Sequence, residues 1–313
     1  MKIYTIEYSG QSFADWANLG DDIQSLAAKK LLPRVDGGVS RERLKHPDEP
    51  GVISMNGYFL GAVDWPPAPE LQPLFFAFHV TPGSVAKVCS PEGIAYLKQH
   101  EPIGCRDRGT MEILQRHGIE AFYSKCLTLT LPRRTESPKN GRVYMVGLSS
   151  GGESAVPRSI RKKAVVVDQA KLRLPDLTPE LKENLSQHLL DTYSRTASLV
   201  ITSKIHCAMP CIAMGIPVVF LYDKTKQDDY RVSIVKDLIG IQYVGESRLD
   251  RLLLNRLRSR EIDWAPKPLE FEEEKLRIRE GYLAAFERAV ARYQRTQAYA
   301  AELGLSSRGS HMC

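Results

Sequence analysis

The chain has 313 residues, 43% hydrophobic and 26% charged, a globular composition that excludes disorder. Its formal net charge of +6 is spread along the sequence, which argues against a nucleic-acid partner and suits an anionic substrate or a lipid-phosphate surface. No run approaches the roughly 20 apolar residues of a membrane-spanning helix; the longest candidate, Leu199 to Leu221, is broken by Ser203, Lys204, His206 and Pro210.

In chain order, strand-like and helix-like segments alternate. Lys2–Tyr8 alternates polar and apolar residues and predicts a strand. After a loop through Leu19-Gly20, Asp21–Leu32 sets Ile23, Leu26, Ala27 and Leu31 at helical spacing behind an acidic first turn. Val52–Met55 and Leu74–Val80 are short β-rich runs. Ser90-Pro91-Glu92 opens a helix, with serine at the N-cap and proline at the first helical position. Ile103–Cys105 reads as a strand, Thr110–His117 as a helix stopped by Gly118, and Ala121–Leu131 as another β-rich run. Pro132–Arg142 is polar and proline-bearing, and marks a domain boundary. Beyond it the alternation restarts, with strands at Val143–Leu148 and Ala164–Val167, a helix at Thr178–Tyr193 and a strand at Leu199–Thr202. A helix at Ile205–Met214, a strand at Pro217–Leu221 and helices at Val232–Ile239 and Leu249–Leu257 follow. Glu270–Ala300 is a long helical stretch whose apolar positions, including Leu276, Tyr282, Leu283, Phe286 and Val290, favour packing on its own protein.

Repeated β-α-β connection predicts parallel sheets covered by helices on both faces. The expected fold is α/β, two doubly wound Rossmann-like domains facing a cleft, at residues 1–136 and 137–268. Residues 269–305 form a helix packing back on the protein, and 306–313 (SSRGSHMC) read as a vector-derived tail. Ligands in such folds sit at the carboxyl ends of the strands, where strand order reverses. The six cysteines, Cys89, Cys105, Cys126, Cys207, Cys211 and Cys313, form no CxxC pair and read as reduced thiols. Cys207 and Cys211 lack further zinc ligands nearby and are assigned to the core; nothing calls for a metal. The first residues, MKIYTIEYSG, lack a long apolar run and a cleavage site, so a cytoplasmic location is expected, with association at the membrane surface left open.

Four segments carry candidate chemistry. Asn18-Leu19-Gly20-Asp21-Asp22 lies between the first strand and helix; its aspartates suit sugar hydroxyls or a general base, or simply cap the helix. Gly104-Cys105-Arg106-Asp107 sits on a strand-to-helix turn. Arg106 there either reaches a carboxylate or phosphate in a cleft or pairs with Asp107 at the surface, with Asp107 or Thr110 capping the helix. Thr202-Ser203-Lys204-Ile205-His206 takes an apolar strand into a helix start, an anion-binding corner with a histidine able to donate a proton, or a structural histidine. Asp228-Asp229-Tyr230-Arg231 comes after a strand end, either as a solvated loop or with Arg231 on an anion and Asp229 orienting it. The glycine-rich Gly147–Gly152 is a loop or a backbone anion nest. There is no GxGxxG after the first strand, no Walker A, no GxSxG and no HExxH.

In this order the segments resemble the polysaccharide pyruvyl transferase family. The likeness runs through Asn18–Asp21, Arg106-Asp107, Ser124–Leu131, Lys204-Ile205-His206 and Gly215-Ile216-Pro217-Val218, over about residues 1–240. One departure is Lys204, where the family has arginine; lysine keeps the charge and loses the bidentate fork. The resemblance implies a fold similar to GT-B glycosyltransferases, with an acceptor side in the first domain and a donor side in the second. It implies a cyclic ketal formed from phosphoenolpyruvate and a sugar diol of a bacterial-type surface polysaccharide or lipid-linked precursor, with no cofactor beyond that donor. Arg106, Lys204 and Arg231 then bind the donor, His206 is the acid, Asp21 the base, and Asn18 and Asp22 meet the acceptor. Peripheral seating at the inner membrane face fits a lipid-linked acceptor. The rival readings are a glycosyltransferase using a nucleotide sugar on the same fold, and a non-catalytic sugar- or anion-binding protein.

Overall fold

Both faces of the central strands are apolar, as a parallel sheet covered on two sides requires. The computed structural model describes residues 1–9, 16–59, 64–173 and 177–302; the proposed tail at 306–313 lies outside them. The first half contains β1 (Lys2–Glu7), α1 (Leu19–Lys29), β2 (Gly37–Ser40), β3 (Gly51–Ser54), β4 (Tyr58–Phe59), β5 (Leu71–Leu74) and β6 (His79–Val80). It continues with α2 (Val85–Val88), α3 (Pro91–Gln99), β7 (Ile103–Cys105), α4 (Arg108–Arg116) and β8 (Ala121–Tyr123). A parallel sheet runs β2-β1-β3-β5, while β4 pairs with β6 and β7 with β8.

The second half contains β9 (Arg142–Val146), α5 (Ser150–Ala155), α6 (Arg158–Arg161), β10 (Val165–Val167), α7 (Pro179–Thr196) and β11 (Ala197–Thr202). Next come α8 (Ile205–Ala213), β12 (Val218–Asp223), α9 (Ser233–Ile239), β13 (Gln242–Val244), α10 (Asn255–Arg258) and the long α11 (Glu272–Glu302). Its sheet runs β10-β9-β11-β12-β13, again parallel throughout. Each sheet therefore reverses its strand order beside its first strand, at β1 and at β9. No described helix is long and apolar enough to cross a membrane.

Alternate residues feed three apolar clusters. Tyr4, Ile6 and Ile53 point to an outer cluster of the first half, and Met145, Leu199, Ile201, Val219 and Leu221 to an outer cluster of the second. The opposite faces, with Ile3 and Val52 from one sheet and Val146, Val200 and Phe220 from the other, meet in a single cluster with residues of α1, α8 and α11. The two sheets thus share a core. The cysteines at 105, 126, 207 and 211 are free and buried; Cys313 lies outside the described residues.

Three sequence expectations change. Ala121–Leu131 is not one strand, because Lys125 takes φ +62° and Leu127–Thr130 closes a buried 3₁₀ turn, with Thr130 Oγ1 donating to the Leu127 carbonyl at 2.7 Å. Leu74–Val80 splits at Ala77, whose φ of +55° no strand accommodates. Leu249–Leu257 is a wide helical turn, Asp250–Leu254, running into the short α10.

α11 crosses from one half to the other. Near its start the buried Lys275 donates to the Ala213 carbonyl at the end of α8 (2.8 Å). Two turns on, the fully buried Tyr282 donates to Ser54 Oγ at the end of β3 (2.8 Å). Ser54 donates on to Asn56 Oδ1 (2.8 Å), and Asn56 Nδ2 donates to the Gln24 carbonyl in α1 (2.8 Å). Tyr282→Phe keeps the ring and removes the first donor of this chain. The expected loss of unfolding free energy is about 1–2 kcal/mol, read as a lower urea midpoint at unchanged slope; an unshifted midpoint would show the tie to be idle.

Candidate active site

A cavity of about 620 Å³ lies where the carboxyl ends of β1, β9 and β11 face one another. This is the strand-order reversal of both sheets, the place where a doubly wound fold leaves a crevice. Its walls come from the segments that leave the strand ends: Trp16 to Asp21 after β1, Arg41 after β2, Arg106 after β7, and Gly147 to Ser149 after β9. Gln169 comes after β10, Ser203 to His206 after β11, and Tyr222 and Lys226 close or succeed β12. Five cationic side chains, Arg41, Arg106, Lys204, Lys226 and Arg231, face three carboxylates, Asp21, Asp223 and Glu246.

On the first-half side, Asn18 is the N-cap of α1; its Oδ1 accepts from Gly20 N (3.1 Å) and its Nδ2 donates to Asp21 Oδ2 (3.2 Å). Gln24 Nε2 donates to the other Asp21 oxygen at 3.3 Å. Burial pushes the Asp21 carboxyl up to about 6, against the pull of Arg41, Arg106 and the Asn18 hydrogen bond. Gly20 lets α1 touch the second half, since a Cβ there would stand 3.1 Å from His206 Cβ. Asp22 does not join this group. A helix turns about 100° per residue, so its carboxylate points away, into a separate small cavity and 3.9 Å from Lys182 Nζ. The expectation that Asp22 meets the acceptor is corrected on that ground.

Arg106, expected either in a cleft or in a surface pair, is in the cleft and paired as well. Its side chain is 1% exposed, and Nε lies 3.3 Å from Asp107 Oδ2. Asp107 also caps α4, accepting from Thr110 N at 2.9 Å, and holds His79 Nδ1 at 2.6 Å. Burial pushes the Asp107 carboxyl upward, but His79, Arg106 and the Thr110 amide together outweigh it and hold the group at about 2. Burial and the nearby Arg106 drop His79 to about 4, so its ring is neutral at ordinary pH. The Nη2 of Arg106 is buried and has no hydrogen-bond partner among the described residues.

Lys204 is the N-cap residue of α8 and His206 lies in its first turn. Burial lowers the Lys204 ammonium below its ordinary value. Its stem lies along Gly147, whose φ is +56° and where any Cβ would collide with Lys204 Cε. Pro210 has no N–H for the carbonyl four residues back, which is that of His206. His206 accordingly leaves helical geometry (φ −85°, ψ 22°), and its freed carbonyl accepts from Gln169 Nε2 at 3.2 Å. Burial, then Arg106, then His79 hold the His206 imidazole well below its ordinary value, and its Nε2 has no partner among the described residues.

Arg231 lines the cavity too, with Nε 2.8 Å and 3.0 Å from the two oxygens of Asp229, which Tyr222 Oη also reaches at 2.7 Å. The glycine-rich turn after β9 holds an internal anion: Glu246 accepts from Ser149 Oγ and from Gly151 N (3.0 Å). Sequence reasoning therefore brought Asn18, Asp21, Arg106, Lys204, His206 and Arg231 to one cavity. It missed Arg41, Gln169, Tyr222 and Glu246 in the walls and His79 behind Arg106. The strand-end rule could have found Arg41 and Gln169; nothing local to His79 distinguished it from a core histidine. No group of three or more His, Cys, Asp or Glu side chains among the described residues is placed to hold a metal ion.

The family model of polysaccharide pyruvyl transferases matches residues 18–225. No curated protein matches the chain. Among solved structures, an uncharacterised Klebsiella pneumoniae protein is similar with a TM-score of 0.45 and 9% identity, over 79% of this chain and 93% of that one. A Listeria monocytogenes protein provisionally described as a UDP-N-acetylglucosamine 2-epimerase has a TM-score of 0.44 and 12% identity, over 92% and 97% of the two chains. The family match starts at the N-cap of α1, ends just beyond β12 and takes in well over half of the sequence, including β2, β7, β9, β10, β11 and β12, which all open on the cavity: the chain belongs to the polysaccharide pyruvyl transferase family.

Proposed function

We propose that this enzyme transfers the pyruvyl group of phosphoenolpyruvate to two hydroxyls of one sugar unit of a polysaccharide or its precursor, forming a cyclic ketal and releasing phosphate. The observation that carries the reading is a buried arginine with an unpaired Nη2, set in one cavity with Lys204 and His206. A donor bearing both a carboxylate and a phosphate needs two cationic grips. Arg106 offers a planar fork and Lys204 a point charge, with the α8 N-terminus beside them. The cavity is larger than a three-carbon ester fills, and the rest of it, lined by Trp16, Asn18 and Asp21, takes the sugar.

In the reaction the donor's terminal alkene carbon takes a proton from His206, and positive charge develops at the neighbouring carbon. A sugar hydroxyl attacks that carbon and loses its proton to Asp21. A second hydroxyl then displaces phosphate: its C–O bond forms as the phosphate C–O bond breaks, and its proton leaves with the phosphate. The free imidazole is neutral, so the acid must be armed. An anion between Arg106 and Lys204 offsets the guanidinium that depresses His206, raising the imidazole towards protonation.

Three outcomes test this. His206→Ala should lower turnover by about 10²- to 10⁴-fold with an unchanged melting temperature; full activity would remove His206 from the mechanism. Asp21 has a raised value in the free enzyme and acts as a base, so kcat/KM should fall as pH drops through about 6, and Asp21→Asn should erase that limb along with most of the rate. A profile flat through this region would exclude Asp21. Calorimetry of phosphoenolpyruvate binding in two buffers of different ionisation heat should show uptake of up to about one proton per site, absent in His206→Ala. Stabilisation by nucleotide sugars instead of phosphoenolpyruvate in thermal melts would replace this reading with glycosyl transfer.

A further inference from the structure

The segment after β13 is built inside out. Its inner side is polar: Asn255 is fully buried and donates through Nδ2 to the Gly151 and Gly245 carbonyls (3.1 and 2.8 Å). Asp250, also buried, holds Lys224 Nζ at 2.7 Å and accepts from Ser247. Its outer side is apolar: Leu249, Leu252, Leu253 and Leu257 are 58%, 58%, 50% and 46% exposed. These leucines fall at helical spacing, so they share one solvent-facing stripe instead of being scattered over the surface. Arg248, Arg251, Arg256 and Arg260 are exposed around them, and the segment's single acid, Asp250, is turned inward against Lys224. Glu261 and Asp263 come only after the last of these arginines.

We propose that this face docks on an anionic lipid bilayer. A stripe of leucines ringed by arginines with no outward carboxylate matches the boundary between acyl chains and lipid phosphates, which offers apolar depth and negative charge together. Arginine suits the rim because its stem covers apolar surface while its head reaches phosphate. The inward hydrogen bonds of Asn255 and Asp250 fix the segment to the fold, so the leucines are presented without ordering a loop. The face lies close to the cleft: Glu246, two residues before Arg248, lines the cavity. Docking therefore brings the cavity towards the membrane surface, where a lipid-linked saccharide would present its sugar; only this last consequence rests on the proposed reaction.

The test is co-sedimentation of the full chain with vesicles of phosphatidylcholine alone and of phosphatidylcholine mixed with phosphatidylglycerol. Binding to the mixed vesicles should exceed binding to the neutral ones by on the order of tenfold, weaken as salt is raised, and fall on the order of tenfold in Leu252→Ser/Leu253→Ser. Both positions are already exposed, so the variant should keep the wild-type melting temperature, which separates lost docking from lost folding. Failure to bind the mixed vesicles, or equal binding by the variant, would overturn the proposal. So would a concentration-dependent dimer in light scattering that the same substitutions abolish, since that assigns the face to a second copy of the chain. The vesicles carry neither donor nor acceptor sugar, so the outcome stands apart from the fate of the pyruvyl-transfer reading.

Discussion

A guanidinium in the floor of a cleft, matched by a single carboxylate that it shares with a histidine, links the charges of the cavity. Asp107 serves both Arg106 and His79, and neither of those side chains reaches solvent. A buried charge whose hydrogen-bonding capacity is only partly used is unfavourable. The influence of Arg106 spreads to its neighbours: it pulls Asp21 down and presses His79 and His206 towards the neutral ring. The donor of the proposed reaction would bring the negative charge that this arrangement lacks, and the fold supplies the stability that the arrangement uses.

Position in the cleft comes from the shared core more than from closure of two lobes. Faces of both sheets meet in one apolar cluster, and α11 is tied to α8 at one end and to β3 further along. Around the cavity the backbones are also joined directly: Ala17 and Leu172 exchange two hydrogen bonds (2.8 and 3.0 Å), and Leu19 N donates to the Gln169 carbonyl at 2.9 Å. Large apolar interfaces resist hinge motion. The approach of α1 to His206 is limited by the bare Cα of Gly20 and held by these backbone ties.

The parts legible in the sequence were those set by short-range rules. Ser90 before α3, Asp107 before α4 and Thr178 before α7 all appear as capping side chains, because an N-cap is decided within four residues. The strand-to-helix turns that carry Asn18, Arg106 and Lys204 were readable for the same reason. The features that failed depended on distant partners. Asp21 and Asp22 are neighbours of one residue type, and only the position of Lys182 and the cavity beyond the helix separates their fates. Leu127–Thr130 has the composition of a strand but is folded into a turn beneath both sheets, where burial overrides propensity. Short edge strands such as β2 and β13 hold too few apolar residues to stand out.

The proposed reaction would require one cavity to keep Asp21 ionised and His206 protonated, although burial pushes both towards neutrality. The balance lies in which cation dominates each group. Beyond burial, Arg106 is the strongest influence on His206, whereas Arg41 comes ahead of Arg106 for Asp21, with the Asn18 hydrogen bond and Lys182 behind them. An anion laid on Arg106 would offset the leading cation at His206, while Asp21 would keep Arg41 beside it. The carboxylate keeps Arg41, Asn18 and Lys182, none of which the donor needs to neutralise. Arg41 is as buried as a purely structural arginine, yet it lines the cavity and stands first among the charges that hold the Asp21 carboxyl down, so the proposed base would owe its ionised form to Arg41 more than to Arg106.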